Sequence, residues 1–297
     1  MNGVLCVDKP QDFTSFDVIA KMRGILQIRK IGHAGTLDPM ATGVLPLLIG
    51  NATRACDVLP VEDKRYTAEF LLGKTTDTQD ITGTVLQERE CWVGRKPLEK
   101  ALEAFRGQIV QIPPMYSAVQ VNGTRLYDLA RQGKEVEREP RNVFIASLEL
   151  LEYDESSARG VLDIRCSKGT YIRTICHDLG QALGVGCVLA SLRRTESAGF
   201  GLERCVTLEQ VQQLKNEGAD MEPYIIPLGE LFASYPQLKL NKVQSRMFSN
   251  GVRLDLGRTA WKGQSGYHSV YAEDGAFLGL ALPDREAMEL NIAKVFR

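Results

Sequence analysis

The feature that most constrains this chain is the stretch from residue 32 to residue 50, which has the sequence GHAGTLDPMATGVLPLLIG. It opens with small residues around Gly35, and glycine lets the backbone approach a ligand closely. Asp38 follows, and because it precedes Pro39 its backbone is restricted to extended conformations. The apolar run at residues 44–49 then predicts a buried strand. One carboxylate is thus mounted on a stiff turn, which suits either a reactive group or an ordinary capped turn.

Charge is balanced overall but uneven along the chain. The 297 residues favour two domains, and the formal net charge of −1 gives no overall basic field. Between residues 18 and 37, however, the chain has four basic residues, Lys21, Arg23, Arg29 and Lys30, and no acidic residue. Such a local patch is compatible with phosphate steering and equally with a solvated helix face.

Cysteines and histidines indicate neither disulfides nor a metal site. The seven cysteines are scattered without a C-x-x-C pair, which is typical of free thiols in a reducing compartment. The three histidines lack ligand spacing, so we expect no metal. The sequence also has no signal-peptide pattern and no apolar run of membrane-spanning length. We therefore expect a soluble, cytoplasmic protein without a membrane partner.

Hydrophobic periodicity predicts intermixed helices and strands. Thr14 and Asp17 have capping-box spacing at the start of a helix that extends to residue 26. Further helices are expected at residues 53–59, 97–105, 171–183 and 206–214. Strands are expected at residues 3–7, 66–72, 143–153 and 160–166, with another beginning at 84–87, whereas residues 73–83 read as a polar loop. Because strands and helices do not alternate strictly, the pattern predicts an α+β fold.

Residues 111–141 form a long, polar and mixed segment. Long segments of this kind in compact domains are usually functional or mobile. Tyr116, Arg125, Tyr127 and Arg131 would suit RNA bases and phosphates, and an ordinary surface hairpin and helix would account for them as well.

The character of the chain changes near residues 222–228, where two prolines flank a short apolar link. About seventy residues rich in short strands and glycine turns follow. We therefore predict a domain at residues 1–225 and a small β-rich domain at residues 226–297.

Several motifs, in order and with matching spacing, resemble those of the bacterial tRNA pseudouridine-55 synthases, the TruB family. The stretches are GVLCVDKPQDFTS, GHAGTLDPMATGVLPLLIGNATR, KRYTAEFLLGKTTDTQDITG, PPMYSAVQVNGTRLYDLARQG, GTYIRTICHDLG and LRRTESAGF. The resemblance covers nearly all of residues 1–200. It implies a large mixed, mainly antiparallel sheet with surrounding helices and a central RNA-binding cleft, followed by a small PUA-like domain. It also implies isomerisation of a uridine in the T loop of tRNA to pseudouridine.

By this resemblance, three residues carry the chemistry. Asp38 is the essential carboxylate, acting as a nucleophile. Tyr66 stacks on the target base and serves as a general base. Arg173 forms an ion pair with Asp38 and keeps it ionised.

The resemblance further implies a set of substrate-binding positions. Tyr171 would form a wall of the pocket, and His33 would occupy the space left by the flipped nucleotide. Lys9 and Pro10 would support the site. Gly32 and Thr36, in the glycine loop, complete the expected set.

The reaction is a redox-neutral isomerisation, so we expect no cofactor and no metal; the sequence contains no phosphate-binding loop or dinucleotide fingerprint. The expected partner is the T stem-loop of tRNA, bound by a monomer without a guide RNA.

Three alternatives stay open. The first is a catalytic subunit of guide-RNA-dependent pseudouridylation, although the long basic extensions usual there are absent. The second is a non-catalytic RNA-binding or RNA-folding protein, and an added tRNA-folding role is compatible with an active enzyme. A glycosidase is weaker, because no second carboxylate is marked as an acid/base partner.

Overall fold

A computed structural model describes residues 1–296 of the chain. It has more strand than helix. The strands in chain order are β1 Gly3–Lys9, β2 Ile31–His33, β3 Thr42–Ile49, β4 Lys64–Leu72, β5 Lys74–Thr76, β6 Val85–Glu88, β7 Gly107–Gln111, β8 Gln120–Val121, β9 Thr124–Arg125, β10 Arg141–Asp154, β11 Arg159–Cys166, β12 Cys187–Ser197, β13 Phe200–Gly201, β14 Cys205–Val206, β15 Gln237–Leu240, β16 Leu254–Asp255, β17 His268–Ala272, β18 Phe277–Asp284 and β19 Glu289–Val295.

Helices are fewer and mostly short. The α-helices are α1 Ser15–Leu26, α2 Arg95–Glu103, α3 Leu126–Arg131, α4 Ile172–Ala182, α5 Leu208–Asn216, α6 Leu228–Leu231 and α7 Lys242–Ser249. Short 3-10 helices occupy Gly50–Ala55, Leu202–Arg204, Glu222–Tyr224 and Leu256–Arg258. No helix within residues 1–296 is long and apolar enough to span a bilayer.

A ten-stranded sheet forms the larger part of the molecule. Eight strands follow the order β14-β1-β3-β12-β4-β11-β10-β7, while β2 pairs with β3 and β13 pairs with β12. Within this sheet of the described residues, only the β1–β14 and β3–β12 pairs are parallel. The predicted α+β class, with a large, mainly antiparallel mixed sheet, is therefore confirmed.

The first helix forms as its sequence predicts. The Thr14 side chain accepts a hydrogen bond from the backbone N–H of Asp17, and the Asp17 carboxylate accepts one from the backbone N–H of Thr14. These bonds satisfy N–H groups that the first turn of a helix leaves free. The apolar face of α1, including Val18 and Met22, is buried in the main core.

Two local predictions were wrong, and one strand was missed. The helix expected at residues 53–59 is instead a 3-10 turn that starts earlier, at Gly50–Ala55. Residues 73–83, expected to be a loop, contain strand β5, which pairs with β6. Strand β7, at the edge of the main sheet, was not foreseen. By contrast, residues 111–141 do contain a short hairpin, β8–β9, and helix α3, as one of the two interpretations of this segment had it.

The C-terminal part of the chain builds a second, five-stranded sheet, in the order β15-β17-β18-β19-β16. The β-rich character expected of the tail is therefore present. A shared apolar cluster joins it to the main sheet, and this cluster includes Val4, Leu48, Ile226, Phe232 and Leu280. The division of the chain at residues 225 and 226 stays a prediction, because this cluster draws on both parts.

Candidate active site

A cleft of about 370 Å³ opens along one face of the main sheet. Five of the predicted site residues line it, namely Thr36, Asp38, Tyr66, Tyr171 and Arg173. They arrive from the loop after β2, from β4 and from the start of α4. Residues far apart in the sequence are thus brought to one place.

An ion pair occupies the cleft. Nε of Arg173 lies 2.9 Å from Oδ2 of Asp38. The Arg173 side chain is 4% exposed and that of Asp38 is 38% exposed, so the carboxylate faces the cleft from a buried cation. An arginine in the first turn of α4 opposes the helix dipole, and this carboxylate is the compensating partner that such a position requires.

The remaining Arg173 nitrogens fix its orientation. Nη1 donates to the carbonyl oxygen of Thr78 at 2.9 Å, and Nη2 donates to that of Tyr116, also at 2.9 Å. A second carboxylate, Asp80, lies 3.8 Å from Nε. Because each nitrogen has its own acceptor, the guanidinium presents Nε to Asp38 in one fixed direction.

Sequence reasoning missed Arg194, a fully buried residue below the Asp38 loop. Its guanidinium donates to the carbonyl oxygens of Gly35, Thr36 and Val44. It therefore ties the glycine loop to strand β3. The only signal was the alternation of β12, which places Arg194 on the same face as the buried Leu192.

Lys9 does not line the cleft but supports the turn that carries Asp38. It is fully buried, and its Nζ donates to the carbonyl oxygens of Pro10, Phe13 and Pro39. Burial lowers the pKa of Lys9 to about 8, although nearby Asp38 favours the charged form. Lys9 and Pro10 thus hold the turn that carries Asp38, and neither lines the cleft.

Tyr66 is buried on the floor of the cleft, 6% exposed. Burial raises its pKa to about 12, although the adjacent Arg194 guanidinium acts in the opposite direction. The phenol is therefore protonated at neutral pH. The ring lines the cleft, and its expected roles in stacking and as a general base stay predictions.

His33 and Gly32 lie on β2 and do not line the cleft. Burial, reinforced by Arg194, lowers the pKa of His33, so its imidazole is neutral at neutral pH. Its Nδ1 is buried and has no hydrogen-bond partner within residues 1–296. The two residues directly precede the glycine loop that lines the cleft. Their substrate-binding roles stay predictions.

Tyr171 is the N-cap residue of α4, and a clamp that the sequence did not reveal holds it in place. The Tyr171 backbone N–H donates to Oε1 of Gln111 at 3.0 Å, and Nε2 of Gln111 donates to the Tyr171 carbonyl oxygen at 3.2 Å. Gln111 is 2% exposed. This amide therefore fixes the start of the helix that carries Arg173.

The described part of the chain contains no group of three or more His, Cys, Asp or Glu side chains that could hold a metal ion. The predicted catalytic side chains that the cleft brings together are Asp38, its ion-pair partner Arg173 and the protonated phenol of Tyr66.

Two family models together match residues 23–233 of the chain. A family model described as the N-terminal domain of TruB family pseudouridylate synthase matches residues 23–172. A second model, the C-terminal domain of tRNA pseudouridylate synthase B, matches residues 173–233. This second match begins within α4, ahead of the domain boundary predicted from sequence.

Curated relatives match over nearly the whole chain. The tRNA pseudouridine synthase B of Clostridium tetani is 39% identical over 98% of both chains. That of Pseudomonas syringae pv. syringae is 44% identical over 94% of this chain and 91% of its own.

Solved structures extend the likeness to the fold. A chain from a crystal structure of a Cbf5-Nop10-Gar1 complex superposes with a TM-score of 0.75 and 25% identity, covering 99% of this chain and 85% of its own. A chain from an archaeal box H/ACA sRNP Nop10-Cbf5 complex gives a TM-score of 0.73, also at 25% identity. The family models, the identity to curated relatives and the fold all agree, and the chain belongs to the TruB family of pseudouridylate synthases.

Proposed function

We propose that this chain isomerises a uridine in the T loop of tRNA to pseudouridine, with Asp38 as the nucleophile. The observation that carries the proposal is the Asp38–Arg173 ion pair at 2.9 Å inside a cleft. Family membership supplies the reaction class, and the names of the relatives, tRNA pseudouridine synthase B, supply the substrate class.

The target base must leave the stack before it can react, as in other enzymes that act on a base within folded nucleic acid. The cleft suits the extruded nucleotide because an aromatic ring, Tyr66, lies on its floor and Tyr171 lies at its side. Uracil is neutral, so a stacking surface serves it better than a charge does.

Asp38 is arranged for attack. Arg173 contacts Oδ2, and no hydrogen bond within residues 1–296 occupies Oδ1, which is therefore free to act. Oδ1 attacks C1′ of the ribose or C6 of the uracil. Either route breaks the N1–C1′ bond, lets the uracil rotate, and joins C5 to C1′ with release of the Asp38 carboxylate.

The proton on C5 must then leave, while N1 of the product gains a proton. We assign the C5 proton to Tyr66, following the family resemblance. Because the pKa of Tyr66 is about 12, its hydroxyl is protonated at neutral pH, so it must release that proton to water as it accepts the one from C5, and N1 of the product takes its proton from water.

A guide-RNA-dependent role is the second candidate, since two of the solved structures that the chain matches are complexes of Cbf5 with other proteins. Identity of 39–44% to proteins named tRNA pseudouridine synthase B, against 25% to those chains, favours action on tRNA by the chain alone.

The test is the purified parent protein and Asp38→Asn, each incubated with an unmodified tRNA transcript under single-turnover conditions. We expect pseudouridine at one T-loop position from the parent and none from the variant, with similar tRNA affinity. Asp12→Asn is the matched control, because Asp12 is exposed and has φ of 65°, a conformation that asparagine tolerates.

Two results would contradict the proposal. One is a pure parent protein that modifies tRNA only when a guide RNA is added. The other is pseudouridine formed by folded Asp38→Asn, with deamidation to aspartate excluded by mass spectrometry.

A further inference from the structure

A second cation in the cleft, Lys64, forms no ion pair within residues 1–296. Lys64 begins strand β4 and lies on the same face as Tyr66, because side chains alternate along a strand. Both residues line the cleft. Lys64 also packs on the glycine loop, since its Cε lies 3.2 Å from the position that a Cβ on Gly35 would take.

The contacts of Lys64 leave its charge uncompensated. Its Nζ donates only to the carbonyl oxygen of Glu62, at 3.2 Å, and Lys64 has no ion pair among residues 1–296. A neighbouring lysine of the cleft, Lys168, is neutralised by the Glu62 carboxylate at 2.7 Å. Burial and the nearby Arg194 lower the pKa of Lys64, although the Glu62 carboxylate acts in the opposite direction. Neither Lys64 nor Arg194 forms an ion pair among residues 1–296, so two cations lie close together and neither has a carboxylate of its own.

A half-buried cation without a partner costs free energy unless an anion is delivered to it. In the proposed substrate the uracil and ribose are neutral, and each phosphodiester carries one negative charge. The single ammonium of a lysine suits a phosphate oxygen, which it approaches as a point charge.

We propose that Lys64 binds a backbone phosphate adjoining the flipped nucleotide, and so anchors the RNA strand beside Asp38. This inference rests on the proposed function, because it takes RNA as the occupant of the cleft. It adds a phosphate subsite to a cleft whose other predicted contacts address the base and the sugar.

The salt dependence of tRNA binding tests this directly. Each phosphate contact adds about 0.7 to 0.9 to the slope of log K against log salt concentration. We expect Lys64→Gln to lower that slope by about this amount. Raising KCl from 50 to 200 mM should then weaken the parent about threefold more than the variant. Lys64→Arg, which keeps the charge, should keep the parent slope.

Arg65→Gln is the matched control. It removes the same charge one residue along β4, but Arg65 points to the opposite face and pairs with Asp163 at 2.9 Å. It should leave the slope unchanged. Lys64→Met, which keeps the aliphatic stem, is the second neutral variant and serves if Lys64→Gln melts well below the parent.

A synthetic T-arm hairpin identifies the phosphate. Neutral methylphosphonate linkages are introduced singly on either side of the target uridine. One of them should weaken binding to the parent and leave binding to Lys64→Gln unchanged, as a direct contact requires.

An unchanged slope in both folded neutral variants, or an equal fall in Arg65→Gln, overturns the phosphate subsite. So does a set of methylphosphonate hairpins that all weaken the parent and the variant equally. The proposed function is judged separately, by whether the parent forms pseudouridine in the same tRNA.

Discussion

Replacing Arg173 with lysine keeps the positive charge and removes the forked guanidinium group. It therefore separates the contribution of charge from that of the three directed contacts. In the parent, three nitrogens serve three acceptors, namely Asp38 and the carbonyl oxygens of Thr78 and Tyr116. A lysine ammonium can reach one of these sites, so two charge-assisted hydrogen bonds are lost. Each is worth about 1.5–3 kcal/mol, and access of cleft water offsets part of the loss.

We therefore expect Arg173→Lys to lower the free energy of unfolding by about 2–4 kcal/mol. For a chain of this size, this corresponds to a fall in melting temperature of about 3–6 °C. Single turnover on tRNA should fall about 100-fold or more, since displacement of a reacting group by about 1 Å has an effect of that size.

Denaturant titration, thermal melts and single-turnover assays at saturating tRNA measure these effects. Arg165→Lys is the control, because Arg165 is exposed and 3.6 Å from Glu196, and it should change neither property. An Arg173→Lys protein that melts and turns over like the parent would show that charge alone suffices and that the fork has no role.

Three further outcomes are expected. Because the folded-state pKa of Lys9 is about 8, below its ordinary 10.5, Lys9 holds more protons in the unfolded chain between these values, and its contribution to the free energy of unfolding should rise with pH there. The difference in free energy of unfolding between the parent and Lys9→Met, from denaturant titrations at several pH values, should therefore rise over this range; parallel curves would contradict it. Gly43→Ala would put Cβ 2.2 Å from the Arg194 carbonyl oxygen, with φ of 102°, and should yield little folded protein on purification. Gly24→Ala, in open space within α1, should instead stabilise by about 0.5–1 kcal/mol in the same melts, and equal yields and stabilities would refute the contrast. Tyr66→Phe should keep tRNA affinity and lower single turnover about 100-fold, and an unchanged rate would leave Tyr66 a stacking role only.

Local rules predicted the elements whose causes are local. The capping box at Thr14 and Asp17 and the apolar run of β3 are written in neighbouring residues, and both form as expected. The helix expected after β3 does not form, because its cause is not local. Its start is set by a distant contact, the side chain of Asn2, which accepts a hydrogen bond from the backbone N–H of Asn51.

The candidate site was foreseen in part. Asp38 and Arg173 were paired through the family resemblance, since local physics gave Asp38 only two competing interpretations. Arg194 and Gln111 were missed, because each acts on backbone atoms of a segment far away in sequence. Such contacts leave no periodic or spacing signal in a single sequence.

The position of β12 between β3 and β4 has a consequence for how the protein is made. Strands β3 and β4 are synthesised early, yet they cannot join each other, because the strand that separates them comes much later in the chain. During translation both present unpaired edges, which favour aggregation. The nascent chain also holds Asp38 long before Arg173 and Arg194 leave the ribosome. The cleft can therefore close only after most of the chain has been released, which ties the onset of activity to a late, long-range step of folding.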